Sequence, residues 1–464
     1  MDILLKNELY TCSLHEFLPV EKDRYFLLYA PLSTLSMIVT QDDLARIRDF
    51  LTQPTQDESL NEIVSALLDR TPSEEAFAKR ISGMGGFENM TLLLNNICNF
   101  NCSYCYSAQG RSTAQRAETK TGYPHSTAQL DEKKLFAAID CFIDRKRTEA
   151  PQLSLSFLGG GEPMLSWKLI EKGVAYAKKR AEKEGFEPCF KIVSNGSVST
   201  KNIIDFIKIH HIELVVSFDI LEDIQNLQRK HFDLVTKNLH DLSESGIMLT
   251  VNAVISPYNV RRQVEMVETI VRSYPKIDYL SFEPLMSLND WSADLIDKDF
   301  YDDFIVHFLQ ARQLAQTHNI ELSCSILRNV DCTVERYCAG EFAVCADGTV
   351  TICPCVSSPE MENYRQYVYG QITNNGKVAI DNEKLSALLD VDVHAYPMCK
   401  HCIAKWNCGG GCINTNRMET KNKKQMRCDF VRKFTTRILW DRTKEQYETD
   451  FQKSIIEIIN QSDN

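Results

Sequence analysis

Long apolar runs are missing from this sequence. It contains no stretch of about 18 consecutive apolar residues, the length that a membrane-spanning helix requires. The opening segment MDILLKNELYTC contains neither the basic segment nor the continuous apolar segment of a signal peptide. We therefore expect no transmembrane span and no membrane partner, and we predict a cytoplasmic protein.

A surplus of positive charge is missing as well. The 464 residues include 52 lysines and arginines against 63 aspartates and glutamates, which gives a formal net charge of −11. Nucleic-acid-binding surfaces are basic, so this balance predicts no nucleic-acid partner. The short basic run from Lys421 to Lys424 is interpreted as a solvated loop.

Cysteine, by contrast, is abundant, with 17 residues. In a reducing compartment, closely spaced cysteines indicate metal ligands rather than disulfides. The hydrophobic content of 44% and the charged content of 25% are ordinary for a globular protein. The length suggests about three domains.

Three of the cysteines, Cys98, Cys102 and Cys105, lie in one short loop after the apolar run Met90 to Leu94. Thiolates this close together are able to hold three irons of a 4Fe-4S cube and to leave the fourth iron open, because soft sulfur ligands suit iron. Two alternatives remain. One is a zinc site, which needs a fourth ligand from elsewhere, and the other is a set of buried, inert thiols.

The spacing of these cysteines, with Tyr104 just before the last of them, resembles the signature of the radical S-adenosylmethionine (SAM) enzymes. The resemblance implies that SAM binds the open iron and that its one-electron cleavage yields a 5′-deoxyadenosyl radical, which abstracts a hydrogen atom from an unactivated carbon. It implies that Cys98, Cys102 and Cys105 are the catalytic cluster ligands.

Later motifs extend this resemblance. Gly160 to Pro163 match the family's GGEP motif, in which glycines allow close backbone approach and Glu162 accepts from the amino group of SAM. Ser217-Phe218-Asp219 resembles the family's S-L-D-G segment, although Ile220 replaces the usual glycine. Arg229 stands where relatives carry an arginine twelve residues after that serine, and the alternative interpretation of Arg229 is an arginine on the protein surface. The resemblance assigns SAM contacts to Tyr104, Gly160, Gly161, Glu162, Pro163, Ser194, Ser217, Asp219 and Arg229.

Residues 89 to 320 alternate between strand and helix patterns, which predicts parallel strands with crossover helices. Strands are predicted at Met90–Leu94, Leu153–Leu158, Phe190–Ser194, Leu214–Phe218, Met248–Ile255 and Tyr279–Phe282. Helices are predicted to begin near Asp131, Ser166, Thr200, His231, Val260 and Lys298. Six such units fit the α/β fold of the family, a partial (β/α)6 TIM-like barrel. The polar segment 107–129 is interpreted as a loop over the barrel mouth or as a disordered insert.

Residues 1–88 predict a small α+β domain. Strands are predicted at Ile3–Tyr10, Tyr25–Ala30 and Leu35–Thr40, the last two forming a hairpin. Helices follow at Gln41–Leu51, Leu60–Leu68 and Ser73–Ile81. This order is similar to the winged-helix domains with which ribosomal-peptide maturases grip a leader peptide by strand addition. The alternative is a plain cap on the next domain.

The last third of the chain contains a second concentration of cysteines, which resembles the SPASM domain with its two auxiliary 4Fe-4S clusters. The resemblance assigns one cluster to Cys332, Cys338, Cys353 and Cys412. It assigns the other to Cys399, Cys402, Cys408 and Cys428. Four-cysteine zinc sites remain the alternative. The six remaining cysteines have no assigned role, and Cys355 is interpreted as a bystander although contact with a cluster or substrate stays open.

Four units are therefore predicted: a recognition domain at 1–88, a radical SAM barrel at 89–320, a SPASM domain at 321–430 and a helical extension at 431–464. Relatives with SPASM domains mostly modify peptides or proteins. Pro354 stands where sulfatase maturases carry an aspartate base, which favours a maturase that installs a thioether or carbon–carbon cross-link in a ribosomally made precursor.

This interpretation implies SAM and three 4Fe-4S clusters as cofactors. Its partners are a precursor peptide with a leader sequence and a low-potential electron donor such as flavodoxin or ferredoxin. The alternatives are a protein oxidation like that of the anaerobic sulfatase maturases and a non-catalytic iron–sulfur electron carrier or zinc-binding adaptor.

Overall fold

The computed structural model describes residues 2–107, 128–286, 295–361 and 363–462. Most of the predicted insert at 107–129 therefore lies outside the described residues. None of the helices in these ranges is long and apolar enough to cross a membrane.

The N-terminal part is a three-stranded antiparallel sheet with helices packed on it. Its elements are α1 (Asp2–Lys6), β1 (Tyr10–Ser13), β2 (Tyr25–Ala30), β3 (Leu35–Thr40), α2 (Gln41–Thr52), α3 (Glu58–Leu68) and α4 (Thr71–Ala78). The strand order is β1-β2-β3, and the β2–β3 hairpin pairs Ala30 with Leu35 as predicted. Thr40 and Asp43 form a reciprocal capping box that begins α2.

Two predictions for this part were wrong. Residues 3–9 are not a strand, because one helical turn ends in a left-handed residue, Glu8, whose φ is 57°. This turn lets both Leu4 and Leu9 point into the small core of the N-terminal sheet and helices. The third helix begins at Thr71 instead of Ser73, because Pro72 occupies its first turn and the Ser73 hydroxyl donates to the Arg70 carbonyl.

The six strands predicted for the barrel are present and parallel. They are β4 (Asn89–Leu92), β5 (Gln152–Phe157), β6 (Glu187–Ser194), β7 (Glu213–Ser217), β8 (Leu249–Ile255) and β9 (Tyr279–Pro284). The helices among and after them are α5 (Glu132–Phe142), α6 (Trp167–Glu184), α7 (Lys201–Ile209), α8 (Glu222–Gln228), α9 (Phe232–Glu244), α10 (Gln263–Ser273) and α11 (Lys298–Thr317). The fold is therefore α/β with a TIM-like partial barrel, as the alternation predicted.

The sheet does not end with the six predicted strands. On one side, β10 (Glu321–Ser323) pairs with β9. On the other, β11 (Phe342–Val344) pairs in parallel with β4, and it is followed by the antiparallel strands β12 (Thr349–Thr351), β13 (Val368–Ile372) and β14 (Val378–Ile380). The cysteine-rich part of the chain is thus joined by backbone pairing to the strand that leads into the Cys98 loop.

Short helices and one long helix complete the chain. They are α12 (Ser325–Val330), α13 (Tyr364–Tyr367), α14 (Asn382–Leu389), α15 (Lys405–Cys408), α16 (Ile413–Met418), α17 (Lys421–Phe451) and α18 (Ile455–Ser462). The interpretation of Lys421 to Lys424 as a loop was wrong, because these residues form the first turn of α17, which Thr420 caps through the backbone nitrogen of Lys423. The C-terminal helical region therefore begins at Lys421, earlier in the sequence than predicted, and includes Cys428.

Candidate functional site

The cysteine loop follows β4, and its first two cysteines are buried. Cys98 and Cys102 are 6% and 8% exposed, and Cys105 is half-buried. Phe100, between the first two cysteines, is buried and stacks on the ring of His231 with centroids 4.6 Å apart. The Cys98 sulfur accepts from the backbone nitrogen of Phe100 at 3.4 Å and from Asn195 Nδ2 at 3.9 Å. Donors aimed at sulfur favour the thiolate form that binds iron.

The GGEP turn lies directly against the backbone that precedes Cys98. The nitrogen of Gly161 donates to the carbonyl of Asn95, and the nitrogen of Glu162 donates to the carbonyl of Ile97, both at 2.8 Å. A Cβ on Gly161 would lie 1.9 Å from that Ile97 oxygen, and Gly160 has a left-handed φ of 76°. Glycine is therefore required at both positions for the turn to meet the cysteine loop.

Glu162 ties this turn to the end of β6. It is 2% exposed, its Oε1 accepts from the Met164 nitrogen at 3.0 Å and the Ser194 hydroxyl at 2.8 Å, and its Oε2 accepts from the Asn195 nitrogen at 2.7 Å. Burial raises the pKa of Glu162, and these hydrogen bonds partly offset the rise. Pro163 begins the 3-10 turn Pro163–Ser166, which Glu162 caps.

A second buried network surrounds Tyr104. Its hydroxyl donates to both oxygens of Asp219 at 3.1 and 3.0 Å and accepts from Arg229 Nη1 at 2.9 Å. Asp219 also accepts from Gln228 Nε2 at 2.9 Å and from the Val254 nitrogen at 3.1 Å. Burial raises the pKa of Asp219, although the Arg229 charge opposes the rise.

Arg229 is 7% exposed, so its alternative interpretation as a surface arginine was wrong. Burial lowers the pKa of Arg229, but the neighbouring charges of Cys102, Tyr104 and Asp219 outweigh this and raise it. The guanidinium therefore stays charged beside the Cys102 sulfur. Ser217 ends β7, is partly buried and pairs in register with Asn252.

Several residues of this site were missed by the sequence analysis. Gln228, at the end of the unpredicted helix α8, accepts from the Ser103 nitrogen at 2.9 Å and so holds the cysteine loop. Lys230 and His231 then turn the chain with φ values of 68° and 59°. No local sequence pattern predicts these contacts. Asn195 alone had a signal, because it ends a predicted strand in a Ser-Asn-Gly turn.

The C-terminal cysteines form two neighbourhoods. Burial raises the pKa of Cys338 to about 12, and the charges of Cys353 and Cys412 add to the rise. Burial also raises the pKa of Cys408 to about 12, with contributions from Cys428, Cys402 and Cys399. The cysteines that raise the pKa of these two thiols belong in each case to the same predicted set, although Cys408 and Cys412, from different sets, line one cavity. One predicted ligand, Cys332, is exposed and donates to the Arg328 carbonyl at 3.5 Å.

Cys355 and Tyr106 connect the two cysteine regions. Hydrogen bonding to Cys355 is the main cause that raises the pKa of Cys353. Burial raises the pKa of Tyr106, and the charges of Cys355, Cys105 and Cys353 add to the rise. Tyr106 is therefore close enough to Cys353 and Cys355 to sense their charges, and Cys355 contacts one of the predicted ligands.

The residues present fit an iron–sulfur cluster and a bound SAM. The donor set at residues 98–105 consists of three thiols, and two N–H groups are aimed at the sulfur of Cys98. The buried cation of Arg229 and the carboxylate of Asp219 lie next to it. Among the described residues, no three His, Cys, Asp or Glu side chains converge closely enough to hold a single metal ion.

Comparisons with known proteins agree with this geometry. Residues 92–270 match the Radical SAM superfamily. The chain is 26% identical over 174 residues to the radical SAM cyclopropyl synthase TigE of Paramaledivibacter caminithermalis, which is 36% of this chain and 34% of TigE. It is 26% identical over 195 residues to the uncharacterized protein MJ0907 of Methanocaldococcus jannaschii, which is 40% of this chain and 59% of that protein.

Each of these matches spans less than two thirds of the relative. Among solved structures, anSMEcpe with bound AdoMet superposes with a TM-score of 0.59 at 17% identity, and the match covers 76% of this chain and 99% of anSMEcpe. This likeness shows a common fold. The family match over residues 92–270, the common fold and the packing of the GGEP turn against the cysteine loop together identify residues 92–270 as a radical SAM domain.

Proposed function

We propose that this protein is a radical SAM peptide maturase. It abstracts a hydrogen atom from a ribosomally made precursor peptide and oxidatively installs a cross-link, either a thioether or a carbon–carbon bond. The observation that carries the proposal is the buried contact between the Cys98 loop and the GGEP turn, because a simple electron carrier has no need of a SAM site beside its cluster. The match to TigE, a radical SAM cyclopropyl synthase, supports a bond-forming outcome.

In this proposal Cys98, Cys102 and Cys105 hold a 4Fe-4S cluster. When bound there, the cluster and SAM supply the one-electron cleavage of the sulfonium and the hydrogen abstraction that follows. The protein contributes position and exclusion of water. Phe100 covers the loop, Asn195 directs an N–H group at Cys98, and Arg229 keeps a positive charge beside Cys102.

The proposed SAM contacts lie around this loop. Gly160 and Gly161 let the turn pack against the backbone that precedes Cys98, and Glu162 has two carboxylate oxygens already ordered by their N–H and O–H donors. An ordered carboxylate is ready to accept from an ammonium group without further reorganisation. Ser217 and Arg229 complete the proposed set.

The C-terminal cysteines are proposed to hold two further 4Fe-4S clusters in a SPASM-type arrangement. The ligands are Cys332, Cys338, Cys353 and Cys412 for one and Cys399, Cys402, Cys408 and Cys428 for the other. A cross-link is a two-electron oxidation, so one electron and one proton must leave the peptide after the hydrogen atom has been removed, and an auxiliary cluster held by these cysteines would accept that electron. The partners we propose are a precursor peptide with a leader and a low-potential donor such as flavodoxin or ferredoxin.

The first test is SAM cleavage by the purified chain, reconstituted with iron and sulfide under anaerobic conditions and reduced with dithionite. We expect 5′-deoxyadenosine from the wild type and none from the triple variant Cys98→Ala, Cys102→Ala, Cys105→Ala, which should keep roughly eight of about twelve irons. The matched control is Cys189→Ala, which removes an exposed thiol outside all three sets. Undiminished cleavage by the triple variant would contradict the assignment.

The substrate class is tested separately. The chain is co-expressed with each open reading frame of 40 to 80 residues that neighbours its gene, and the peptides are weighed by mass spectrometry. We expect one of them to lose two hydrogen atoms for each cross-link, and to keep them with the triple cysteine variant. A protein that cleaves SAM while every such peptide stays unmodified would contradict the peptide substrate.

A further inference from the structure

The turn that joins the two sets of C-terminal cysteines consists of three consecutive glycines, residues 409–411. It runs from Cys408 to Cys412, which the proposed function assigns to different clusters. All three glycines have left-handed φ values, 55°, 85° and 78°. Residues with side chains rarely adopt this conformation, so the backbone of the turn requires glycine between the two cysteines.

Other segments fill the space that side chains would take at this turn. A Cβ on Gly409 would overlap the backbone of Tyr337. A Cβ on Gly411 would lie 2.6 Å from Nη1 of Arg427, a residue of helix α17. The guanidinium of Arg427 therefore lies against the turn, at the boundary between the two cysteine sets.

A small cavity beside the turn is lined by the same group. Its walls include Arg427 together with Cys408, Cys412 and Tyr337. In the sequence, Arg427 directly precedes Cys428, a further predicted ligand. The guanidinium thus borders a cavity that one cysteine from each predicted set also lines.

Arg427 is buried and held in a fixed position. Its side chain is 7% exposed, and that of its partner Glu419 is 1% exposed. Nε donates to Glu419 Oε2 at 2.8 Å, and Nη2 donates to Asn416 Oδ1 at 2.6 Å. The carboxylate therefore binds Nε, while Nη1 remains against Gly411. An arginine does not lose its proton in a protein, so a permanent positive charge is fixed beside the turn.

The charges around this ion pair show its direction. Burial raises the pKa of Cys408 to about 12 and also raises that of Cys428, and the charge of Arg427 opposes both rises. Burial raises the pKa of Tyr301, and the charge of Glu419 adds to that rise. The pair therefore presents its positive side to the cysteines.

We infer that Arg427 raises the reduction potential of the auxiliary cluster held by Cys399, Cys402, Cys408 and Cys428. A 4Fe-4S cluster gains one negative charge when it is reduced, so a fixed cation beside its ligands stabilises the reduced form. The inference rests on the proposed function, because it takes the cluster and its ligands from there. It adds that this cluster is tuned to accept the electron that leaves the peptide.

The experiment is a redox titration of the reconstituted full chain, followed by electron paramagnetic resonance at one fixed pH. The parent protein carries Cys98→Ala, Cys102→Ala and Cys105→Ala, so that only the auxiliary clusters contribute to the spectrum. Arg427→Gln removes the cation and should move one midpoint potential to a more negative value. Glu419→Gln leaves the cation without its counter-charge and should move the same midpoint to a more positive value.

Two further variants separate the charge from packing. Arg427→Lys keeps a cation and should have a midpoint between those of the parent and Arg427→Gln. Lys444→Gln removes a cation that is 41% exposed on the same helix, and it should leave the midpoints unchanged because water screens exposed charges. A role in packing alone would lower the iron content of Arg427→Gln and Glu419→Gln alike and would not move a potential in opposite directions.

Midpoints of Arg427→Gln and Glu419→Gln that equal those of the parent would overturn the inference, and so would shifts of the same sign. If Arg427→Gln takes up no auxiliary iron, the shift of Glu419→Gln decides. The two proposals fail separately. A wild-type chain that cleaves no SAM, while the midpoints of the variants shift in opposite directions, refutes the proposed function alone. A chain that cleaves SAM and modifies a peptide, while the midpoints stay fixed, refutes the inference alone.

Discussion

Asp219 accepts hydrogen bonds from Tyr104, from Gln228 and from the backbone of Val254, and it lies near the charge of Arg229. The side chain is fully buried. Three of the donors in this network converge on one carboxylate, and Arg229 donates to the Tyr104 hydroxyl. Tyr104 lies between Cys102 and Cys105, so its position fixes that of the cysteine loop. A buried acceptor of this kind cannot be exchanged for a group that also donates.

Asp219→Asn should therefore destabilise the protein. The amide would turn N–H₂ toward groups that already donate and leave Arg229 without its counter-charge, at a cost of about 1–3 kcal/mol. Thermal unfolding followed by circular dichroism measures the change. Asp205→Asn, at an exposed ion pair with Lys201, is the control and should unfold at the wild-type temperature. An Asp219→Asn protein as stable as that control would contradict the structural role of the network.

Gly161→Ala tests the contact between the GGEP turn and the cysteine loop. Because the added methyl would meet the Ile97 carbonyl at 1.9 Å, the loop must move, at a cost of about 1–3 kcal/mol. We expect loss of SAM cleavage and of roughly four of about twelve irons in an iron assay of the reconstituted protein. Gly83→Ala is the control, since a Cβ there meets no atom within 4 Å. Full iron content in both variants would show that the turn and the loop are independent.

At the scale of elements, the parallel strands were predictable and several other elements were not. Strand β7 contains the buried run Leu214–Val216, and most other barrel strands, such as β8, alternate buried and half-buried residues. The observed ends of the strands differ from the predicted ones by a few residues. Strands β11, β12 and β14 have three residues each, too few to produce a periodic pattern. Helix α8 was missed for a related reason, because its buried residues Ile224, Gln225 and Gln228 include two polar ones.

The sequence motifs of the site were predictable, but its hydrogen-bond networks were not. Cys98, Gly161 and Glu162 follow from local spacing that resembles a known family. Tyr104 contacts Asp219 and Arg229, which lie 115 and 125 positions away in the sequence. No local sequence pattern predicts contacts between residues so far apart. For that reason the sequence analysis left a surface position open for Arg229. The structure excludes a surface position, because Arg229 is buried against the cysteine loop.

Helix α17 is held to the barrel by aromatic packing against α11. Phe434 is fully buried and lies 5.7 Å from Phe308 and 6.1 Å from Phe430 between ring centroids. Phe434→Ala should lower the free energy of unfolding by about 3–5 kcal/mol, because it leaves a cavity in this core. Phe451→Ala, on the same helix at a 57% exposed position, should cost less than about 0.5 kcal/mol. Chemical denaturation measures both, and equal losses would contradict the role of the aromatic core.

At the scale of the whole molecule, the N-terminal sheet is attached to the cysteine-rich part through polar contacts. Glu8 accepts from Lys405 Nζ at 2.8 Å and from Trp406 Nε1 at 3.0 Å, and Tyr29 donates to Asn407 at 3.1 Å. The side chain of Lys405 is only 6% exposed. A buried ammonium of this kind needs its carboxylate partner.

This attachment should depend on pH. Burial raises the pKa of Glu8, but hydrogen bonds from Lys405, Tyr10 and Trp406 outweigh it and leave the pKa below its ordinary value of about 4.3. Because the folded-state pKa is depressed, this contribution to stability is complete above the unfolded-state value and is lost as the pH falls through the folded-state value.

Glu8→Gln removes that titration and also leaves the Lys405 ammonium without its counter-charge. We expect its melting temperature to be lower than that of the wild type at pH 7 and the difference to shrink as the pH falls below about 4 and through the depressed folded-state pKa of Glu8. Both proteins are compared without iron so that cluster loss does not interfere. Glu132→Gln is the control, because it removes an ion pair between α5 and α6 whose side chains are 46% and 53% exposed. Differential scanning calorimetry across the pH range decides between the outcomes. If the difference in melting temperature between Glu8→Gln and the wild type stays constant with pH, the Glu8 carboxylate does not hold the two parts together. The attachment would then depend on the hydrogen bond from Tyr29 and on the packing of β3 against α17.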